Sequence, residues 1–371
     1  MRTDSERKFV CLRRPNPARK SRGARLENKK EENVMAIYNS ITELVGKTPI
    51  VEFKRLEKVL GLKGRLAGKL EYFNPAGSHK DRIALEIIEA AEARGEISPD
   101  KTTLVEFTSG NTGVALAAFA AAKGYKFNIG IQNGVSVERK KLLEAYQANV
   151  VDVPDELIAG VFNKGIAAFA DVIEYMTNGI DGAYATRQLD NPDNINAHYK
   201  YTGPEIWEDT EGKIDIFVGG VGTGGSTHGV SKYLKEKNPN IKVIITQPDK
   251  NDVLNPIVKG VEDGGFHGIH AVHDGNSITP MAPANFSDEL TDEYVTITYA
   301  ETLKAIHLLA KYEGIFVGAS SGASLAVAIK QALRPENEGK LIVPLLPDNG
   351  ERYLSEDLQR VRPEVEDAIQ F

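Results

Sequence analysis

One cysteine, Cys11, in 371 residues leaves the chain no internal disulfide and no thiolate metal cluster, as a reducing cytosol would have it. No apolar run reaches the roughly 18–20 residues of a bilayer-spanning helix, and the first residues are charged where a secretory signal would be apolar. Neither membrane insertion nor export is expected, and the cytoplasm is the expected location. Fixed-period repeats and low-complexity linkers are also missing. Positive charge is scarce beyond the start: residues 1–34 hold 11 Lys and Arg against 5 acids, which leaves −13 on the remainder of a chain whose total is −7. That remainder has no basic footprint for nucleic acid. The first segment is polar and short of large side chains, so burial cannot offset its ordering entropy, and residues 1–35 read as a disordered basic tail. As a functional arm it would serve organelle targeting or nucleic acid, but its five acids oppose targeting. The plainer alternative is that Met35 is the natural start and the tail an upstream extension.

What is present is a hydrophobic content of 41%, enough for two packed α/β lobes. Three stretches read as strand–helix–strand. In "TTLVEFTSGNTGVALAAFAAAKGYKFNIGI", "LVEF" is a strand, 111–123 an alanine-rich helix and "KFNIGI" the next strand. The second is "DIFVGGVGTGGSTHGVSKYLKEKNPNIKVIITQ", and the third runs from "TLKAIHLLAKYEGIFVGASSGASLAVAIKQAL" to "KLIVPLLP". Such alternation predicts parallel sheets covered on both faces, in a doubly wound α/β architecture. Units on either side of about residue 185 predict two lobes with a cleft between them, where ligands sit at strand carboxyl ends.

Five glycines, Gly219, Gly220, Gly222, Gly224 and Gly225, crowd the turn from a buried strand into a helix. Glycine lets the backbone approach a ligand and turn its N–H groups inward, and the helix start adds positive dipole, so the turn favours an anion. Thr223 and Ser226 add hydroxyl donors. A turn made only for packing is the bland alternative. A dinucleotide site wants G-x-G-x-x-G and an acid ending the next strand, which here ends in Gln247 with Asp249 beyond; a Walker lysine is also missing. A lone phosphate monoester fits better.

In "NPAGSHKDR" a lysine, Lys80, begins a predicted helix, where the dipole disfavours a cation. Desolvated there, its amine loses its proton more easily and can attack a carbonyl to form a Schiff base. The bland alternative is a solvated pair with Asp81 or a nearby glutamate. A phosphate pocket together with a Schiff-base lysine points to pyridoxal 5′-phosphate.

Five motifs in order, "NPAGSHKDR", "TSGNTG", "GTGGS", "GASSGAS" and "LPDNGERYL", resemble those of the cysteine synthase and cystathionine β-synthase family of pyridoxal-phosphate enzymes, which have the tryptophan-synthase-β fold. "VGKTPIVEF" and "NPDNINAHYKYTGPEIW" add to a resemblance that covers residues 36–355. It implies two doubly wound lobes with mostly parallel sheets and the cofactor in the cleft between them. Lys80 would be the Schiff-base lysine and proton shuttle; Asn111 would bond the cofactor's 3′-oxygen. Gly222, Thr223, Gly224, Gly225 and Ser226 would cradle its phosphate, and Ser320 would face its ring nitrogen. Thr108, Ser109, Thr112 and Gln188 would hold the substrate carboxylate. A hydroxyl in place of a carboxylate at the ring nitrogen would favour β-elimination over transamination. In isolation, "TSGNTG" is also a plain helix cap, and Ser320 and Ser321 could likewise cap a helix.

The implied division is an N-terminal lobe over 36–185 with the lysine and the substrate loop, part of 36–80 crossing into the other lobe. A C-terminal lobe over 186–360 would carry the phosphate loop, with a tail over 361–371. The implied activity is β-replacement on an activated L-serine such as O-acetylserine through an α-aminoacrylate, with sulfide as the small nucleophile, in a homodimer. Homocysteine, thiosulfate or an amine as acceptor, or elimination alone as in serine dehydratase and cysteine desulfhydrase, are alternatives. Others are a nicotinamide-dependent oxidoreductase and a non-catalytic binding subunit; serine acetyltransferase, a partner in this family, would dock its C-terminus in the cleft.

The chain departs from the family in places. His79 stands where cysteine synthases usually have valine; tryptophan synthase β has histidine before its lysine, so His79 belongs either near the phosphate or ring edge, or to packing. After "KFNIGI" the chain reads "QNGVSVERKKLLEAY" where the family has a Met-Pro and then a similar Ser-x-Glu-Arg stretch, which would put Asn133 and Gly134 in the mobile part of the smaller lobe, and Asn349 replaces a serine. His267, His270 and His273 lie in "GGFHGIHAVHDGNSITP", residues 264–280, where relatives line the mouth of the site with a glycine-rich loop. Their spacing invites zinc, but the glycines do not make the side chains converge, so no metal is expected, and a role in shaping the second-substrate pocket is preferred.

Overall fold

A computed structural model describes residues 37–108, 110–131, 137–164, 166–249, 283–356 and 371. The chain enters through β1 (Ile50–Glu52), α1 (Lys54–Leu60) and β2 (Arg65–Leu70), then α2 (Lys80–Ala93). The next stretch alternates β3 (Thr103–Phe107), α3 (Asn111–Lys123), β4 (Lys126–Gly130), α4 (Val137–Ala145) and β5 (Asn149–Val151). Helices α5 (Asp155–Lys164) and α6 (Ile166–Thr177) lead to β6 (Ala183–Ala185). Helix α7 (Pro192–Ala197), a π-helical turn (His198–Thr202) and α8 (Gly203–Asp209) precede β7 (Ile216–Gly220), α9 (Gly225–Lys237) and β8 (Lys242–Pro248). The last elements are β9 (Glu293–Ile297), α10 (Tyr299–Glu313), α11 (Ala319–Leu333), β10 (Leu341–Leu346) and a 3-10 turn (Gly350–Glu356).

Two sheets result. Four strands pair in the order β5-β4-β3-β6, and six in the order β1-β2-β10-β7-β8-β9. Every pairing is parallel except the antiparallel β1–β2. The fold is thus α/β with mostly parallel sheets in two lobes. Helices cover both faces of each sheet, so the central strands are buried: every residue of β10 is buried, as are the first four of β7. One core cluster of the larger sheet gathers Leu66, Val218, Ile244 and Ile342 under α10 and α11; the opposite face carries Phe217, Val230, Val243 and Val343. Leu104, Leu116 and Ile129 centre one face of the smaller sheet, and Val105, Phe169 and Val172 the other.

The third predicted strand–helix–strand unit is different in the structure. Gly314 closes α10 in the left-handed region at φ 71°, and α11 begins at Ala319. Between them residues 314–318 form no strand, and Val317 makes only an isolated antiparallel bridge to Asn349. Among the described residues no helix is long and apolar enough to cross a membrane.

Candidate active site

Four strand ends carry the chemistry. The segments after β2, β3, β7 and β10 hold the lysine turn, "TSGNTG", the glycine loop and "LPDNGERYL". Parallel order puts these carboxyl ends on one side of each sheet, as crossover connections require.

The turn before α2 is held by a buried acid. Asp81 accepts from the Ala76 N–H at 2.5 Å and the Ser78 hydroxyl at 3.4 Å, while Ser78 Oγ accepts from the Lys80 N–H at 3.2 Å. Burial pushes the Asp81 carboxyl up to about 7, against the pull of the Ala76 bond and Arg352. Asp81 therefore caps the turn, and the solvated Lys80–Asp81 pair does not form. Lys80 points its amine at His79, with Nζ 2.7 Å from Nε2. Burial brings the amine down to about 8, partly opposed by attraction to Asp348.

Asp348 organises the opposite wall. It is 1% exposed, and its Oδ2 accepts from Asn111 Nδ2 at 2.6 Å and from the Tyr353 hydroxyl. Its Oδ1 is buried, with no hydrogen-bond partner among the described residues. Arg352 donates to Asn111 Oδ1 at 2.8 Å and to the Ala76 carbonyl. Asn111 thus has its oxygen and one N–H engaged, which leaves the second N–H for a ligand. Ser321 Oγ donates to the Asp348 carbonyl at 3.1 Å and is fully buried, whereas Ser320 beside it is half-buried. Of the two serines, Ser320 is the one with open surface.

The glycine loop is shaped for close approach. Gly224 has φ 84°, and a Cβ there would meet the Phe286 backbone nitrogen at 2.6 Å; one on Gly225 would meet Asn194 Oδ1 at 2.0 Å. Asn194 Nδ2 donates to Thr223 Oγ1 and to the Gln188 carbonyl, both at 2.8 Å, and Asn285 donates to the same carbonyl at 3.0 Å. Gln188 reaches back to the "TSGNTG" loop, where Thr112 Oγ1 donates to its Oε1 at 2.5 Å. Behind it the fully buried Glu106 accepts from the Gln188 N–H at 3.0 Å and from Thr186 at 2.7 Å; burial pushes this carboxyl up to about 7. Residues 222–226 therefore form a glycine turn leading into the start of α9, with the hydroxyls of Thr223 and Ser226 beside it, a donor set that fits a phosphate monoester.

The structure brings Lys80, Asn111, Thr112, Gln188, Ser320 and the 222–226 loop to neighbouring strand ends and helix starts. Thr108 is nearly buried, and its Oγ1 accepts from the Gly110 N–H at 3.3 Å. Ser109 and residues 264–280, with their three histidines, lie outside the described residues; so do Asn133 and Gly134. The capping alternatives fail. Gly110 and Gly318 occupy the two cap positions, with no side-chain cap bond. Asp348, Arg352, Asn194 and His198 are residues that sequence reasoning did not single out, although each falls inside a quoted motif.

The match to known proteins agrees with this geometry. Residues 41–348 fit the family model described as pyridoxal-phosphate dependent enzyme. Cysteine synthase 3 of Caenorhabditis elegans is 39% identical over 317 residues, 85% of this chain and 88% of that protein. Cysteine synthase A of Escherichia coli K12 is 39% identical over 321 residues, 85% and 93% of the two chains. A crystal structure of cysteine synthase from Entamoeba histolytica superposes with a TM-score of 0.75 at 34% identity, covering 94% of this chain and 98% of that one. With a phosphate-fitting cradle, a desolvated lysine and a family match that spans both lobes, the chain belongs to the pyridoxal-phosphate dependent enzyme family.

Proposed function

We propose that this enzyme catalyses β-replacement on an activated L-serine, O-acetylserine or a close relative, with sulfide as acceptor, as a cysteine synthase. The observation that carries this reading is the Lys80 amine, brought down to about 8 by burial and attracted to the buried Asp348, which in turn accepts from Asn111, with no ion pair to a surface acid among the described residues. Lys80 would bond the cofactor's aldehyde carbon. The N–H groups and hydroxyls of Gly222, Thr223, Gly224, Gly225 and Ser226 would hold its phosphate, while Asn111 and Ser320 would contact its ring. Bound there, pyridoxal 5′-phosphate supplies an electron sink for charge that develops at the substrate Cα.

Thr108, Ser109, Thr112 and Gln188 would hold the substrate carboxylate, which the dipole at the start of α3 favours. Lys80 Nζ would take the substrate's Cα proton: the Cα–H bond breaks and an N–H bond forms. The β-substituent leaves with its electron pair, the sulfur nucleophile supplies the pair for the new bond at Cβ, and Nζ returns its proton to Cα. The lobe division near residue 185 belongs to the same reading, supported by β6 ending the smaller sheet at Ala185 and β7 opening the larger one's second half at Ile216. So does a homodimer, supported by the exposed apolar run Tyr38, Ile41 and Leu44. A cleft that admits a substrate carboxylate also suits the C-terminus of serine acetyltransferase. The single cysteine supports a cytoplasmic location.

Borohydride reduction of the holoenzyme followed by peptide mapping should fix the cofactor to Lys80, and O-acetylserine with sulfide should yield cysteine and acetate one for one. Label absent from Lys80 overturns the assignment. Turnover only with homocysteine, thiosulfate or an amine, or release of pyruvate in place of cysteine, overturns sulfide as the acceptor.

A further inference from the structure

His79 stands in the turn that leads into α2, directly before the lysine. The ring is 8% exposed and confined on several sides. The backbone N–H of His79 donates to the Pro347 carbonyl at 2.9 Å, and its ring lies 5.8 Å between centroids from that of His198. His198 is itself tied through Nδ1 to Thr202 Oγ1 at 2.9 Å. Nε2 of the His79 ring stands 2.7 Å from Lys80 Nζ.

We propose that His79 is a positioning residue for Lys80, its Nε2 accepting a hydrogen from the Nζ ammonium and so holding the proton-loaded amine at one place in the cleft. An ammonium taken from water needs acceptors for its hydrogens as well as opposite charge. Asp348, on the loop after β10, supplies the charge, and His79 supplies the acceptor at hydrogen-bonding distance. The ring can serve only while neutral. Burial, Lys80, His198 on the π-helical turn and Arg82 in the first turn of α2 all oppose its protonation, against a weaker contrary influence of the Pro347 carbonyl. Neutral imidazole with its proton on Nδ1 presents a lone pair at Nε2. In the proposed reaction Lys80 carries a proton between its removal from and its return to Cα, and that is the state this bond favours.

The inference rests on Lys80 being the base of that reaction, yet its test needs no turnover. The full-length chain, stripped of cofactor, is reductively methylated with formaldehyde across a pH series, and Lys80 modification is read by peptide mass. The wild-type midpoint should lie near 8. In H79V the ammonium loses an acceptor, so the midpoint should fall by about one pH unit or more. H79Q, whose amide oxygen can accept from Nζ, should restore it to within about half of that shift. An unchanged midpoint in H79V, or an H79Q midpoint displaced as far as that of H79V, overturns the proposal and leaves His79 a packing residue. Were H79V to misfold, H79L reads the same shift. Failure of borohydride to label Lys80 in the holoenzyme would count against the proposed reaction and not against this contact.

Discussion

At the scale of single residues, two changes separate charge from shape in the cleft. Asp348 attracts the Lys80 ammonium and orients Asn111 through a 2.6 Å bond, so Asp348→Asn removes the charge while keeping the size. Lys80 should then titrate below about 8, as a shift in the pH dependence of its methylation. Gly225 tests shape. A methyl group there would lie 2.0 Å from Asn194 Oδ1, a buried group on a short helix that cannot retreat freely. Gly225→Ala should displace the loop and weaken pyridoxal 5′-phosphate binding at least tenfold, about 1.4 kcal/mol or more, in a fluorescence titration of the cofactor-free protein.

At the scale of elements, helix α2 is anchored by ions. Arg82 donates through Nε to Glu71 at 2.6 Å and through Nη2 to Glu205 at 2.7 Å; Lys69, fully buried on β2, reaches the Thr48 carbonyl at 2.6 Å and Glu205 at 2.9 Å. This network fixes the helix that carries the lysine against the strand before it and against α8. Burial makes each ion costly unless paired, so removing one partner leaves an uncompensated charge inside. Glu71→Gln should cost about 3–5 kcal/mol in urea unfolding, far more than loss of an exposed pair such as Lys213–Glu211. Helix α4 is tied to the last turn differently. Glu138 accepts from the Ser355 hydroxyl at 2.8 Å, and the Arg139 guanidinium sits 4.7 Å from the centre of the Tyr353 ring. The smaller lobe thereby touches the turn that also supplies Arg352 to Asn111.

At the scale of the whole molecule, buried acids give stability opposite slopes with pH. Glu205 is held at about 2 by Arg82 and Lys69 against its burial, so above the ordinary carboxylate range it contributes stability that is lost as pH falls toward 2. Glu106 and Asp81 are raised to about 7, so the folded state keeps their protons longer than the unfolded one, and stability declines as pH rises from about 4.5 to 7. Glu106→Gln should flatten that decline. Urea midpoints measured between pH 4.5 and 8 would read it, and an unchanged slope would show that the carboxyl ionises as easily folded as unfolded.

The elements were legible because their signals are local. A strand of buried apolar residues, a glycine loop and an alanine-rich helix can be read within thirty residues, and the helix predicted over 111–123 spans Asn111–Lys123 in the structure. The candidate roles of the lysine and the glycine loop were readable for the same reason: each motif carries its own backbone requirement. What the chain order could not convey is which side chains meet. Asn111 and Asp348 bond across 237 positions, and Arg82 meets Glu205 across 123. An aspartate in "LPDNG" has the composition of a solvent turn; only the pairing of β10 beside β2, with α11 packed over both, buries it next to the lysine. Residue types thus determined which reagents this protein carries, since reactivity begins with functional groups. Tertiary structure decided their protonation and their partners, because desolvation and proximity exist only where strands distant in sequence lie side by side.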